Sequence, residues 1–237
     1  VRTQDVALGY LALPDEAAPP GIVVLHDVWG LGDHPRDLAR RLAGEGFGAL
    51  ALDLYRREGE VRIEDPGAWM RALSDRQVIG DVQAGIDFLA GEAPTAGRPV
   101  GVTGVCMGGM YALLAACGCR GLGAAVSFYG MLSYEHGLLH AESGPDLERK
   151  PRQPLDAVAE LACPLLACFG AEDAFIPAGD IATLKQRLAR SPQPADVVVY
   201  PGAGHAFLND TRPEAYRPEA ARDAWARMVA FFRRHLK

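Results

Sequence analysis

The feature that most constrains this chain is Gly104-Val105-Cys106-Met107-Gly108, placed directly after the apolar stretch Pro99–Thr103. A strand that turns sharply into a helix crowds the residues two before and two after the turn. Glycine at both flanks removes the Cβ atoms that would collide there. The G-x-C-x-G pattern is therefore read as a nucleophile elbow, with cysteine where serine is usual. The thiol then sits at the start of a helix beginning near Met107. Free N–H groups and the helix dipole at that end favour a thiolate and a developing oxyanion. Taken alone, the pattern also fits a glycine-rich turn carrying a small core cysteine.

An elbow nucleophile needs an acid and then a histidine later in the chain. Gly170-Ala171-Glu172-Asp173 follows the apolar run Pro164–Phe169, and Gly202-Ala203-Gly204-His205 follows the β-branched run Asp196–Tyr200. Both candidates thus lie just past the carboxyl end of an expected strand, where open α/β sheets place their sites. Asp173 is preferred to Asp180, which falls inside a helical pattern, and to Glu172, whose side chain is expected at the surface.

The rest of the chain alternates between two periodicities. Val6–Leu13 reads as an edge strand, while Gly21–His26, Phe47–Leu52, Pro99–Val105 and Leu122–Tyr129 are apolar runs typical of strands covered on both faces. Helical spacing marks Pro35–Gly46, Pro66–Gly91, Met107–Cys117, Ala178–Ala189 and Pro218–Leu236. Alternating strand and helix implies a parallel sheet with helices on both faces. Residues 1–237 are expected to form a single domain. Met131–Leu161 breaks the pattern, being polar and carrying Pro145, Pro151 and Pro154. It is either a pocket-shaping loop or a surface excursion with a short helix.

Composition narrows the function classes. The formal net charge is −6 and no basic stripe occurs, which argues against nucleic acid. No apolar run approaches the ~20 residues of a membrane span, and the start Val1–Asp5 has no apolar core of a signal peptide. Five cysteines without regular spacing argue for a reducing compartment, so a cytoplasmic protein is expected. His136 and His140, with Glu135 adjacent, are a conceivable metal pair, but Gly137 between them and the lack of a third ligand argue for no metal site. Gly101 and Gly104 have the wrong spacing for a dinucleotide loop. Cys117 and Cys119 have the wrong spacing for a zinc or redox pair, and Cys163 and Cys168 are expected in the core.

Several motifs together resemble the dienelactone hydrolase family over nearly the whole chain. They are Val23-Val24-Leu25-His26-Asp27-Val28-Trp29-Gly30-Leu31, Ala51-Leu52-Asp53-Leu54-Tyr55, the elbow through Gly109, Phe128-Tyr129-Gly130, Gly170–Asp173 and Gly202–Phe207. The resemblance implies an α/β-hydrolase fold with a mostly parallel central sheet of about eight strands and helices on both faces. It implies cleavage of lactones or small carboxylic esters without metal or cofactor. The partner expected is the small-molecule substrate, for a monomer or small homo-oligomer. Carried over residue by residue, it implies Cys106 as nucleophile, His205 as base and Asp173 as its orienter. The backbone N–H groups of Met107 and Val28 would form the oxyanion hole.

Two positions depart from the family pattern. Where a glutamate usually contacts the thiol, this chain has Asp27, one methylene shorter. Where an arginine follows the histidine by four, it has the neutral Asn209. A second substrate arginine should fall in Val61–Asp75, with Arg62 and Arg71 as candidates. Tyr129 is expected to touch substrate and Trp69 to supply an apolar wall. His26 either lines the pocket or is hydrogen-bonded support. Two other classes remain open from sequence: an acyltransferase on the same fold, and a non-catalytic binding protein.

Overall fold

The apolar runs become the inner strands of one eight-stranded sheet. The computed structural model describes residues 1–15, 18–59, 61–91 and 94–237. The strands are β1 (Arg2–Val6), β2 (Gly9–Leu13), β3 (Gly21–Leu25), β4 (Gly48–Leu52), β5 (Val100–Val105), β6 (Leu122–Phe128), β7 (Leu165–Gly170) and β8 (Ala195–Tyr200). Their order is β1-β2-β4-β3-β5-β6-β7-β8. β1 and β2 pair antiparallel and β2 joins β4 antiparallel. All pairings from β4 onward are parallel. Every residue of β3, β4 and β5 is buried, as unbroken apolar runs require.

The helices are α1 (Asp33–Gly44), α2 (Pro66–Ala72), α3 (Asp75–Gly91), α4 (Met107–Gly118), α5 (Pro154–Ala157), α6 (Ala178–Leu188) and α7 (Pro218–His235). They cover both faces, because successive strand residues point opposite ways. Val24 packs with Leu38, Leu42 and Met228 of α1 and α7, while its neighbour Val23 faces Gly85 of α3. Among the described residues, no helix is long and apolar enough to cross a membrane.

Two expectations need correction. The single edge strand over Val6–Leu13 is a hairpin, in which Val6 pairs with Gly9 and Arg2 with Leu13. The polar segment Arg2–Asp5 pairs outside the main apolar pattern, so alternation alone does not mark it. The long helical pattern over Pro66–Gly91 is two helices, broken at Leu73, whose ψ of 139° is extended. Ser74 starts α3, and its Oγ accepts from Gln77 N–H at 3.4 Å. Ser74 and Gln77 have the S-x-x-Q spacing of a capping box, a legible stop-and-start signal beneath the helical periodicity.

Register brings the strand ends to one level. Leu25 pairs with Leu52 on one side and Gly104 on the other. His26, Leu54 and Cys106 therefore leave the sheet close together. The segment 131–161 holds two 3-10 turns and α5 and is anchored to the helices. Tyr134 Oη donates to Asp75 Oδ2 at 2.6 Å, and Arg71 Nη1 donates to the carbonyl of Leu138 at 2.8 Å.

Candidate active site

Cys106 lies at the junction of β5 and α4 with φ 55° and ψ −118°. A non-glycine residue rarely holds that conformation, and such strain clusters at functional sites. Its N–H donates to Phe128 O at 3.0 Å, and its carbonyl accepts from Met110 N–H at 3.0 Å. The glycines work as the sequence suggests. A Cβ on Gly104 would run into the Gly108 carbonyl, and one on Gly108 into the Leu25 carbonyl. Cys106 as a residue is 7% exposed.

The acid and histidine turns are tied together by their backbones. Ala171 N–H donates to Tyr200 O and Glu172 N–H to Ala203 O, each at 2.9 Å. This presents Asp173 to His205, whose Nδ1 lies 2.8 Å from Asp173 Oδ2. The other carboxylate oxygen accepts from Phe175 N–H at 2.9 Å, so both oxygens are held. Asp173 has no exposed side-chain surface. The second ring nitrogen, Nε2, is buried without a hydrogen-bond partner, while Cys106 is close enough to act on the ring. Burial is the largest influence on His205 and opposes its charged form. The hydrogen bond to Asp173 and the nearby Cys106 sulfur outweigh it and push the pKa up to about 10. The imidazole is wedged between two rings, Tyr129 at 5.1 Å and Phe175 at 5.0 Å between centroids.

Met107 is the first residue of α4, so its N–H has no partner within the helix. Val28 leaves β3 two residues after His26 and is buried. The Tyr55 hydroxyl touches both: it donates to Val28 O at 2.9 Å and lies 3.4 Å from Met107 Sδ. Trp69 packs edge-on against Tyr55, 5.5 Å between centroids, so it walls this side of the site at one remove.

The remaining candidates occupy a cleft of about 440 Å³ lined by Asp27, Trp29, Asp33, Asn209 and Arg212 among others. Asp27 is not hydrogen-bonded to the thiol. Its Oδ1 accepts from Trp29 N–H at 2.9 Å in a tight turn, a conformation suited to the short aspartate side chain. Asn209 is buried, and its Oδ1 accepts from Thr211 N–H and Oγ1 at 3.0 and 2.7 Å. Neither candidate arginine joins this cleft. Arg62 is exposed beside Glu64, and Arg71 donates to the carbonyls of Leu138 and His140.

The other residues singled out from the sequence are placed as follows. His26 is buried support, bonded to the backbone on both sides. Asp180 sits 4.0 Å from His136, the carboxylate paired with His205 is that of Asp173, and Glu172 is exposed. Among the described residues, no three His, Cys, Asp or Glu side chains converge as metal ligands. Cys163 and Cys168 are buried, and burial pushes each thiol up to about 12. Sequence reasoning missed Phe175 and Tyr55 at the site. Phe175 follows Asp173 by two, the position its N–H needs to cap that carboxylate, so the spacing held the signal.

The sequence profile of the dienelactone hydrolase family matches residues 8–236. A Methylorubrum extorquens protein named "Putative carboxymethylenebutenolidase" is 34% identical over 232 residues, covering 95% of this chain and 76% of its own. A Bradyrhizobium protein named "Probable 2-oxo-3-(5-oxofuran-2-ylidene)propanoate lactonase" is 34% identical, covering 97% of this chain and 90% of its own. Among solved structures, one titled as a putative dienelactone hydrolase from Klebsiella pneumoniae superposes with a TM-score of 0.82 at 34% identity, covering 94% of this chain and 91% of that one.

Proposed function

The chain belongs to the dienelactone hydrolase family, and we propose that it cleaves lactones or small carboxylic esters through a thioester on Cys106. The observation that carries this reading is the buried Asp173–His205 pair beside a cysteine held at positive φ. With a pKa near 10, His205 keeps its proton at neutral pH, so it can serve as the acid that protonates the leaving oxygen.

The thiolate attacks the substrate carbonyl, and the carbonyl electron pair moves onto oxygen. The N–H groups of Met107 and Val28 stabilise that oxyanion; loss of one such donor typically costs about 2.7–4 kcal/mol. The intermediate collapses, the C–O bond breaks, and His205 gives its proton to the leaving oxygen. His205, now neutral, takes a proton from water as the water attacks the thioester. The second intermediate expels the thiolate, restoring the ion pair and releasing the acid. Asp173 holds the imidazole tautomer and stabilises its charge throughout. Enol leaving groups suit a thiol nucleophile, and the name of the Bradyrhizobium relative describes such a lactone.

Asp27, which precedes the proposed oxyanion donor Val28, opens onto a cleft that holds a second acid, Asp33, and one arginine, Arg212, but none of the proposed catalytic side chains. With Asn209 neutral, this supports neutral rather than anionic substrates. The test is hydrolysis of p-nitrophenyl acetate and a panel of neutral lactones by the unaltered protein and Cys106→Ala. The variant should stay folded and lose turnover, and Cys106→Ser should retain little. Full hydrolysis by Cys106→Ala would overturn the assignment. Transfer of the acyl group to an added alcohol in preference to water would favour an acyltransferase.

A further inference from the structure

His26 is completely buried where the chain leaves β3. Its Nε2 lies 3.1 Å from the backbone N of Leu54. A backbone N–H can only donate, so Nε2 accepts and the ring proton resides on Nδ1. Nδ1 lies 2.6 Å from the carbonyl oxygen of Asp27, and so donates to it. That carbonyl and the N–H of Val28 are opposite ends of one peptide unit. The next peptide is pinned as well: Tyr55 donates to the Val28 carbonyl, and Trp29 N–H donates to Asp27 Oδ1.

We propose that His26 is a positioning residue for the oxyanion hole, gripping the carbonyl end of the Asp27–Val28 peptide and thereby aiming and polarising the Val28 N–H. The inference rests on the reading of Val28 as an oxyanion donor. The peptide is planar, so turning its carbonyl turns its N–H by the same angle. A hydrogen bond accepted at the oxygen draws electron density from nitrogen and strengthens the donor at the far end. The ring is itself held from β4 through Leu54, so it braces the β3 exit against the β4 exit. A proton on Nε2 would face the Leu54 N–H, so the geometry keeps the ring neutral. Burial also lowers its pKa.

The test uses His26→Leu, His26→Asn and His26→Gln in the full chain. Two rates are compared: kcat and KM for p-nitrophenyl acetate, and alkylation of Cys106 by iodoacetamide, which forms no oxyanion. His26→Leu should lower kcat on the order of 10- to 100-fold, short of losing a whole donor, with KM and alkylation within about twofold. His26→Asn carries its amide near the Nδ1 position and should recover most of kcat. His26→Gln reaches toward Leu54 and should not. Unchanged kcat in folded His26→Leu overturns the proposal, as does a parallel fall in alkylation, which would mark general damage to the site. If His26→Leu fails to fold, the order of the Asn and Gln variants decides, and rescue by Gln alone overturns it. Cys106→Ala in the same assay separates the two readings. Hydrolysis by that variant removes the premise, whereas its inactivity beside fully active His26 variants removes this inference only.

Discussion

Lys150 Nζ lies 2.6 Å from Asp75 Oδ1, with the two side chains only 3% and 8% exposed. The carboxylate also accepts from the hydroxyls of Tyr111 and Tyr134, at 2.9 and 2.6 Å. A buried ion pair offsets its desolvation only when its remaining hydrogen-bonding capacity is met, and here two phenols meet it. The pair fastens the 131–161 segment to α3 and, through Tyr111, to the helix that carries the elbow.

Lys150→Met should leave the Asp75 carboxylate buried and uncompensated. A loss of about 3–5 kcal/mol is expected in urea denaturation, with faster proteolysis within 131–161. Adding Asp75→Asn to Lys150→Met should recover part of the loss. An unchanged denaturation midpoint in the single variant would contradict this account.

His205 titrates near 10 in the folded chain against about 6.5 unfolded. Its folded pKa is raised, so its contribution to stability is full below about 6.5 and fades as pH rises through about 10. Asp173→Asn removes one of the two influences that outweigh burial, leaving Cys106, so the pKa should fall and this alkaline fade should shrink and move to lower pH. Imidazole NMR titration and denaturation between pH 6 and 10.5 measure both. Catalysis should fall by up to about 10⁴ in Asp173→Asn and by less than about twofold in Glu172→Gln. Equal losses would mean that Asp173 is not the orienter.

Gly108→Ala should clash with the Leu25 and His26 carbonyls, lowering stability by at least about 1–3 kcal/mol and displacing Cys106. At Gly118 an added Cβ meets nothing within 4 Å. Gly118→Ala should therefore change stability by no more than about 1 kcal/mol, in the stabilising direction. Thermal melts and esterase rates of the two variants test the contrast.

The cleft charge predicts that a neutral lactone is cleaved faster than its carboxylate-bearing counterpart. Asp27→Asn should narrow that ratio by up to about tenfold, equivalent to about 1.4 kcal/mol. The ratio of kcat/KM for the two substrates is the measurement. A strong preference for the acid in the unaltered protein would point to Arg212 as its anchor.

The parts of the fold and site legible in the sequence were those written locally. The elbow, the acid turn and the histidine turn each sit within a few residues of a recognisable strand end, so their order and context could be read directly. The break at Leu73 was also local, but a strong apolar period concealed the Ser74 cap. Contacts between distant segments left no such trace. Lys150 and Asp75 are 75 positions apart, and a lysine in a polar segment looks solvated until its partner is known. The pinned peptide after Asp27 was equally hidden, because its supports come from His26, Leu54 and Tyr55 on two strand exits.

The pairing of Leu25 with both Leu52 and Gly104 makes enzymatic competence depend on the register of the central strands. A slip of one residue between parallel strands turns every side chain to the opposite face, which would part His26 from Leu54 and both from the elbow. A species with its helices formed and its central strands unregistered would be catalytically silent. Regained turnover after dilution from urea should therefore coincide with protection of the β3 and β5 amides from exchange.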